Sequence, residues 1–152
     1  MGNLARGIRG AEGSLPARRH NRPMIDGRSP AIRVTLMPKD TNAHGTIFGG
    51  VLLSYIDLAG AVAARAHCDS MVTVKMTEVV FHEPVFVGDL VSFYTDVVRI
   101  GRTSITVKVT VEAQRRTGAG HPVKVTEAEV VYVNVDEERR PTPITRREIE
   151  GA

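Results

Sequence analysis

The sequence predicts an α+β domain in which one long central helix is wrapped by a curled antiparallel β-sheet of about five strands. Three observations lead there. A single segment carries apolar side chains at helical spacing and carries them nearly all the way round. Several later segments alternate apolar and polar residues with a period of two, and the connections between them are short or glycine-rich. A helix apolar over most of its circumference needs burial on most sides, and strands with one apolar face supply the cover.

The first strand is read at Ile32, Val34 and Leu36, which alternate with Arg33 and Thr35 and stop at Met37-Pro38. A polar loop from Lys39 to Gly45 follows, after which Thr46 can cap the helix. The helix carries Ile47, Val51, Tyr55, Leu58 and Val62 on one stripe and Phe48, Leu52, Ile56, Ala59 and Ala63 on another. Strands then follow at Met71 to Val80, with Val72, Val74 and Met76 on one face, and at Leu90 to Ile100. Two more are read at Thr103 to Gln114, with Ile105, Val107, Val109 and Val111 inward, and at Val123 to Val135. The connections Val87-Gly88-Asp89, Ile100-Gly101-Arg102 and Thr117 to Pro122 predict that successive strands pair antiparallel. An open sheet of this kind leaves an edge, which pairing between copies commonly covers, so an oligomer is expected.

The 152 residues, 42% hydrophobic and 24% charged, suit one globular domain with a real core. Three parts are expected: a disordered basic tail over 1–30, a folded domain over 31–136 and a charged C-terminal extension over 137–152. The tail is rich in Gly and Pro and lacks apolar periodicity. Residues 1–33 hold seven arginines against Glu12 and Asp26, a net +5, which leaves −2 for residues 34–152 out of the total of +3. The basic character therefore belongs to the tail, and a slightly acidic domain without Trp argues against nucleic acid as a partner. The apolar run Ile47 to Ala66 is broken by Ser54, Asp57, Gly60 and Arg65, so it reads as a buried helix and no membrane span is expected. One cysteine, Cys68, and scattered histidines offer no metal-site spacing and no internal disulfide, so a cytoplasmic protein without a metal is expected.

Asp57 is the most informative residue. A carboxylate within an apolar helix must be solvated by a cavity, be paired or lose its charge. Its neighbours at helical spacing are Leu53, Ser54, Gly60 and Ala61, with Gly50 and Ala64 beyond, a stripe of mostly small side chains that leaves space for a ligand. The competing reading is a close helix–sheet contact with Asp57 bonded to backbone. Upstream, Gly49-Gly50 near the helix start lets a substrate approach backbone N–H groups that carry the positive end of the helix dipole and can stabilise an oxyanion.

The run Met37-Pro38-Lys39-Asp40-Thr41-Asn42-Ala43-His44-Gly45-Thr46-Ile47-Phe48-Gly49-Gly50, followed by Tyr55-Ile56-Asp57-Leu58-Ala59-Gly60-Ala61, resembles the hotdog-fold acyl-CoA thioesterases of the YciA and brain acyl-CoA hydrolase type. Two turns continue the resemblance: Phe81-His82-Glu83-Pro84-Val85-Phe86-Val87-Gly88-Asp89 is similar to the family's Pro-x-x-x-Gly-Asp turn, and Val98 to Ser104 to its Gly-Arg-Thr/Ser-Ser turn. The likeness spans about residues 32–136 and implies a hotdog fold that hydrolyses fatty acyl-CoA to free acid and CoA without a cofactor, as a homodimer or a trimer of dimers. It implies that Asp57 is the catalytic carboxylate, that Asn42 comes from the facing subunit, and that Gly49 and Gly50 supply the donor to the thioester oxygen. His44, Phe48, His82, Arg102, Thr103 and Ser104 would bind substrate, the last three near CoA. His82 and Glu83 stand where family members often have an apolar residue and Lys or Arg, and His44 where many have Asn or Ala. The origin of Asn42 in a facing subunit accords with helix geometry, since Asp57 lies roughly 16 Å along the helix from Thr46. The alternative reading is an acyl-CoA sensor of the same fold without turnover.

Overall fold

The computed structural model describes residues 28–118 and 120–145. The expected disordered tail falls, up to residue 27, outside the described residues. The elements are β1 (Ile32–Thr35), a short 3-10 turn (Pro38–Asp40), α1 (Gly49–Ala64), β2 (Met71–Phe81), β3 (Leu90–Ile100), β4 (Ser104–Gln114) and β5 (Val123–Asn134). The strands form one five-stranded sheet in the order β1-β3-β4-β5-β2, with every pair antiparallel. The sheet is open, and β1 and β2 are its two edges.

The strands flanking the connections after β3 and after β4 pair antiparallel, β3 with β4 and β4 with β5, as expected. The connection through Val87-Gly88-Asp89 does not make a hairpin. β2 pairs with β5 and β3 with β1, which puts β4 and β5 between β2 and β3 in the sheet order. The reason is local: Ile47 donates its N–H to Val85 O (2.8 Å) and Gly88 to Leu36 O (3.3 Å), so this loop crosses beneath the sheet to the helix approach instead of folding back on β2. Asp89, 2% exposed, locks it by accepting from Phe86 N–H (3.0 Å) and from Arg115 Nη1 (2.6 Å).

The helix begins three residues after the expected cap. Thr46 cannot cap it, because its hydroxyl accepts from Asn42 Nδ2 (3.0 Å), while Ile47 and Phe48 are held extended by bonds to Val85 O and Asp40 O (both 2.8 Å). Phe48 becomes the N-cap residue with no side-chain bond to the helix. α1 then packs on the inner face of β3, β4 and β5 through Leu52, Ile56, Ala59, Gly60 and Ala64. Tyr55 meets Phe93 of β3 at 5.6 Å between ring centroids. Opposite them lies the strictly alternating inner row of β4, Ile105, Val107, Val109, Val111 and Ala113, all fully buried. Each large side chain so buried contributes roughly 1.5–3 kcal/mol. Burial is one-sided, however: Leu58 and Val62 remain 56% and 53% exposed, so within one chain the sheet covers only half of the apolar circumference.

β2 also departs from its simple alternation. Its register against β5 shifts between Thr73 and Lys75, where Val74 is an inserted bulge residue. The insertion flips the parity, so Met71 and Met76 both pack against the core while Val72 and Val74 are exposed, and the three residues read as one face divide between two; a second shift between Thr77 and Val80 returns Val79 to the core side. After β5 the chain turns back through Asp136–Arg140. Thr142 N–H then bonds Asn134 O and Ile144 N–H bonds Arg102 O (2.9 and 2.8 Å), so the described part of the charged extension is tied to the β3–β4 end of the sheet. Among the described residues no helix is long and apolar enough to cross a membrane.

Candidate active site

Two groups of residues come together on α1, one at its start and one at its middle. At the start, Asn42 organises the entry loop. Its Oδ1 accepts from His44 N–H (2.9 Å) and Thr46 N–H (3.3 Å), and its Nδ2 donates to Thr46 Oγ1. His44 itself is exposed. Gly49 and Gly50 occupy the first two helical positions, whose N–H groups have no partner inside the helix. A Cβ at Gly50 would overlap the Phe48 ring, and one at Gly49 would lie 3.2 Å from Phe81 Cζ, so two exposed aromatic rings flank this donor pair. His82 follows Phe81 at the end of β2, with Nε2 3.5 Å from Glu127 Oε1.

At the middle of the helix Asp57 is half-buried, and its Oδ1 accepts from Thr73 Oγ1 of β2 at 2.7 Å. Its backbone carbonyl accepts from the Tyr132 hydroxyl of β5 at 2.6 Å. Thr73 and Tyr132 face each other across the β2–β5 pair. Tyr132 is 1% exposed, and burial, with Asp57 nearby, holds its phenol above the ordinary tyrosine value. The space expected beside Asp57 is therefore partly filled: a Cβ at Gly60 would overlap the Tyr132 hydroxyl. Space does remain on the other side, where Ala61 and Arg65 of α1, Met71 and Thr73 of β2 and Tyr132 line an open depression of about 290 Å³.

The turn of Arg102, Thr103 and Ser104 sits at the same end of the sheet as Asp57. Ser104 pairs with Val133, one residue from Tyr132, and Gly101 N–H closes the turn on Ser104 O at 2.7 Å. Arg102 is exposed there. The two groups are not joined within one chain. No hydrogen bond links Asn42 to Asp57 among the described residues, and Gly49 lies about 12 Å along the helix from Asp57. Cys68 is buried, and burial followed by the nearby Asp69 holds its thiol above the ordinary value, which suits packing rather than reactivity.

Sequence reasoning missed Thr73 and Tyr132. The signal for Tyr132 was Gly60, since a glycine inside a helix costs about 1 kcal/mol against alanine and marks a close approach by something large. Thr73 left no signal, because its direction depends on the bulge beside it.

The thioesterase superfamily profile matches residues 44–119. The acyl-CoA thioester hydrolase YciA of Escherichia coli is 40% identical over 126 residues, 80% of this chain and 92% of its own. The chain belongs to the thioesterase superfamily. Two solved structures agree with that placement. A hexameric hotdog fold thioesterase of Campylobacter jejuni superimposes with a TM-score of 0.73 at 48% identity, covering 79% of this chain and 92% of that one. HI0827, described as a hexameric broad specificity acyl-coenzyme A thioesterase and solved as an aspartate-to-alanine variant, gives 0.75 at 34% identity, with 81% and 91% covered. The hotdog thioesterase region so matched includes α1 and β2 to β4, and with them Asp57, Thr73 and the Arg102 turn.

Proposed function

We propose that this protein is an acyl-CoA thioester hydrolase whose working site is shared between subunits of a homo-oligomer. The observation that carries the reading is Asp57: a carboxylate on an apolar helix, bonded by Thr73, which itself lines an open depression, in a chain 40% identical to a named acyl-CoA thioester hydrolase. A thioester is already activated. Its hydrolysis needs a carboxylate, a water and donors for the carbonyl oxygen as negative charge develops there, and no cofactor.

In this reading the N–H groups of Gly49 and Gly50 in one subunit receive the thioester oxygen, flanked by Phe48, and the facing subunit brings Asp57 to the carbonyl carbon. Asn42 holds the entry loop and offers its amide to the same composite site. Arg102, Thr103 and Ser104 lie near the CoA end, with His44 and His82 at the edge of the acyl-CoA channel. Three features favour assembly: the separation of the two groups along one helix, the exposed Leu58 and Val62, and the β2 edge. The named structural relatives are hexamers, and a trimer of dimers would satisfy all three. A cytoplasmic setting accords with the single buried thiol of Cys68.

The test is a panel of acyl-CoA esters of increasing chain length, read by release of free CoA thiol, with light scattering on the same sample. Turnover by an oligomer is expected. Tight acyl-CoA binding without turnover, or a monomer with full activity, would overturn this reading.

A further inference from the structure

We propose that Tyr132 is a positioning residue for the Asp57 carboxylate, acting through the backbone of the helical turn that carries it. The inference rests on the reading of Asp57 as the carboxylate of thioester hydrolysis. Asp57 O lies inside α1, where a carbonyl already receives an N–H from four residues on, yet the Tyr132 hydroxyl adds a second bond to it at 2.6 Å. That bond is not required to satisfy the helix. A buried phenol does need an acceptor, and the one it takes is on the residue that bears the carboxylate.

The register sharpens the point. Thr73 and Tyr132 are direct partners across the β2–β5 pair, and both end on Asp57, Thr73 at the side chain and Tyr132 at the main chain. Two neighbouring points of the sheet thus hold the two ends of one residue, which fixes both the depth of the helix and its rotation about its own axis. Gly60 makes the approach possible, because any Cβ there would overlap the Tyr132 hydroxyl. A carboxylate displaced by a fraction of an ångström from the carbonyl carbon loses rate without losing substrate affinity.

The experiment uses the full-length oligomer with hexanoyl-CoA, and compares wild type, Tyr132→Phe, Asp57→Asn and the double variant, each checked for assembly by size exclusion. Tyr132→Phe is expected to lower kcat by about tenfold with KM changed less than about twofold. In the Asp57→Asn background the same substitution should cost nothing further, because its effect passes through the carboxylate. A normal kcat for assembled Tyr132→Phe beside an inactive Asp57→Asn would overturn the proposal. So would an equal fold-loss in both backgrounds, the mark of a purely structural role. Near-normal turnover by Asp57→Asn would overturn the catalytic reading itself and the proposal with it. Gly60→Ala, which displaces the same hydroxyl sterically, is expected to repeat the kcat loss and carries the test if Tyr132→Phe fails to assemble.

Discussion

Thr73 donates its hydroxyl to Asp57 Oδ1 at 2.7 Å, joining the edge strand β2 to the middle of the helix. The contact exists because the bulge at Val74 lets Thr73 face the helix while Met76 still reaches the core. Asp57→Asn preserves the shape of the side chain and removes the base or nucleophile of the proposed reaction, so turnover should fall on the order of 10²-fold or more with the fold intact. Thr73→Val should lower kcat by about tenfold while leaving KM nearly unchanged, since it frees the carboxylate to rotate without touching the CoA end. Steady-state kinetics on assembled variants checks both.

Asn42 bonds its own loop within one chain, and in the proposed composite site it serves the Asp57 of a neighbouring subunit. Mixing Asn42→Ala chains with Asp57→Ala chains under conditions that exchange subunits should restore part of the activity, because some interfaces then hold one intact site. Proven exchange with no recovery would place both residues in one chain or reduce Asn42 to loop support.

Arg102 stands exposed on a turn closed by Gly101 and Ser104, where a guanidinium can meet a phosphate. Arg102→Ala should raise KM for CoA esters more than it lowers kcat, and the difference should shrink as salt screens the contact. Measuring KM at low and high ionic strength decides it. An unchanged KM would leave Arg102 as a surface residue.

Glu127, between Lys124, Lys108 and His82 on the sheet, titrates at about 2 instead of the ordinary 4.5, chiefly because Lys124 bonds the carboxylate, with Lys108 adding to it. A carboxylate lowered in the folded state favours folding fully above its unfolded value. That contribution is lost as pH falls from about 4.5 toward 2. Acid unfolding of Glu127→Gln should therefore show a shallower loss of stability across this window than wild type, measured by thermal melts at successive pH values. Parallel curves would mean that the cluster adds nothing to acid stability.

The strand spans, the single helix and the inner row of β4 were legible in the chain itself, because amphipathic periodicity is a local property and each face of a strand or helix declares itself within a few residues. Asp57 was legible for the same reason, as a charge out of place in an apolar run. The family turns also sit in the sequence as contiguous words, and the residues around Gly88-Asp89 and Gly101-Arg102 do form turns.

What the tertiary structure decided is everything that depends on residues far apart in the chain. The order of the strands follows from long-range pairing, so the glycine-containing turn before β3 could not reveal that β2 lies at the opposite edge. The helix start moved because Val85 and Asp40 hold Ile47 and Phe48 extended, a choice made by partners outside the segment. The face of Thr73 was set by one inserted residue, which reverses a period-2 pattern without altering its composition. Tyr132 reaches Asp57 across 75 residues of sequence, and Gly60 has its meaning only once that ring lies against it. Local patterns specify which surfaces are apolar, but only packing decides which of them meet, and the surroundings of the carboxylate are made by that meeting.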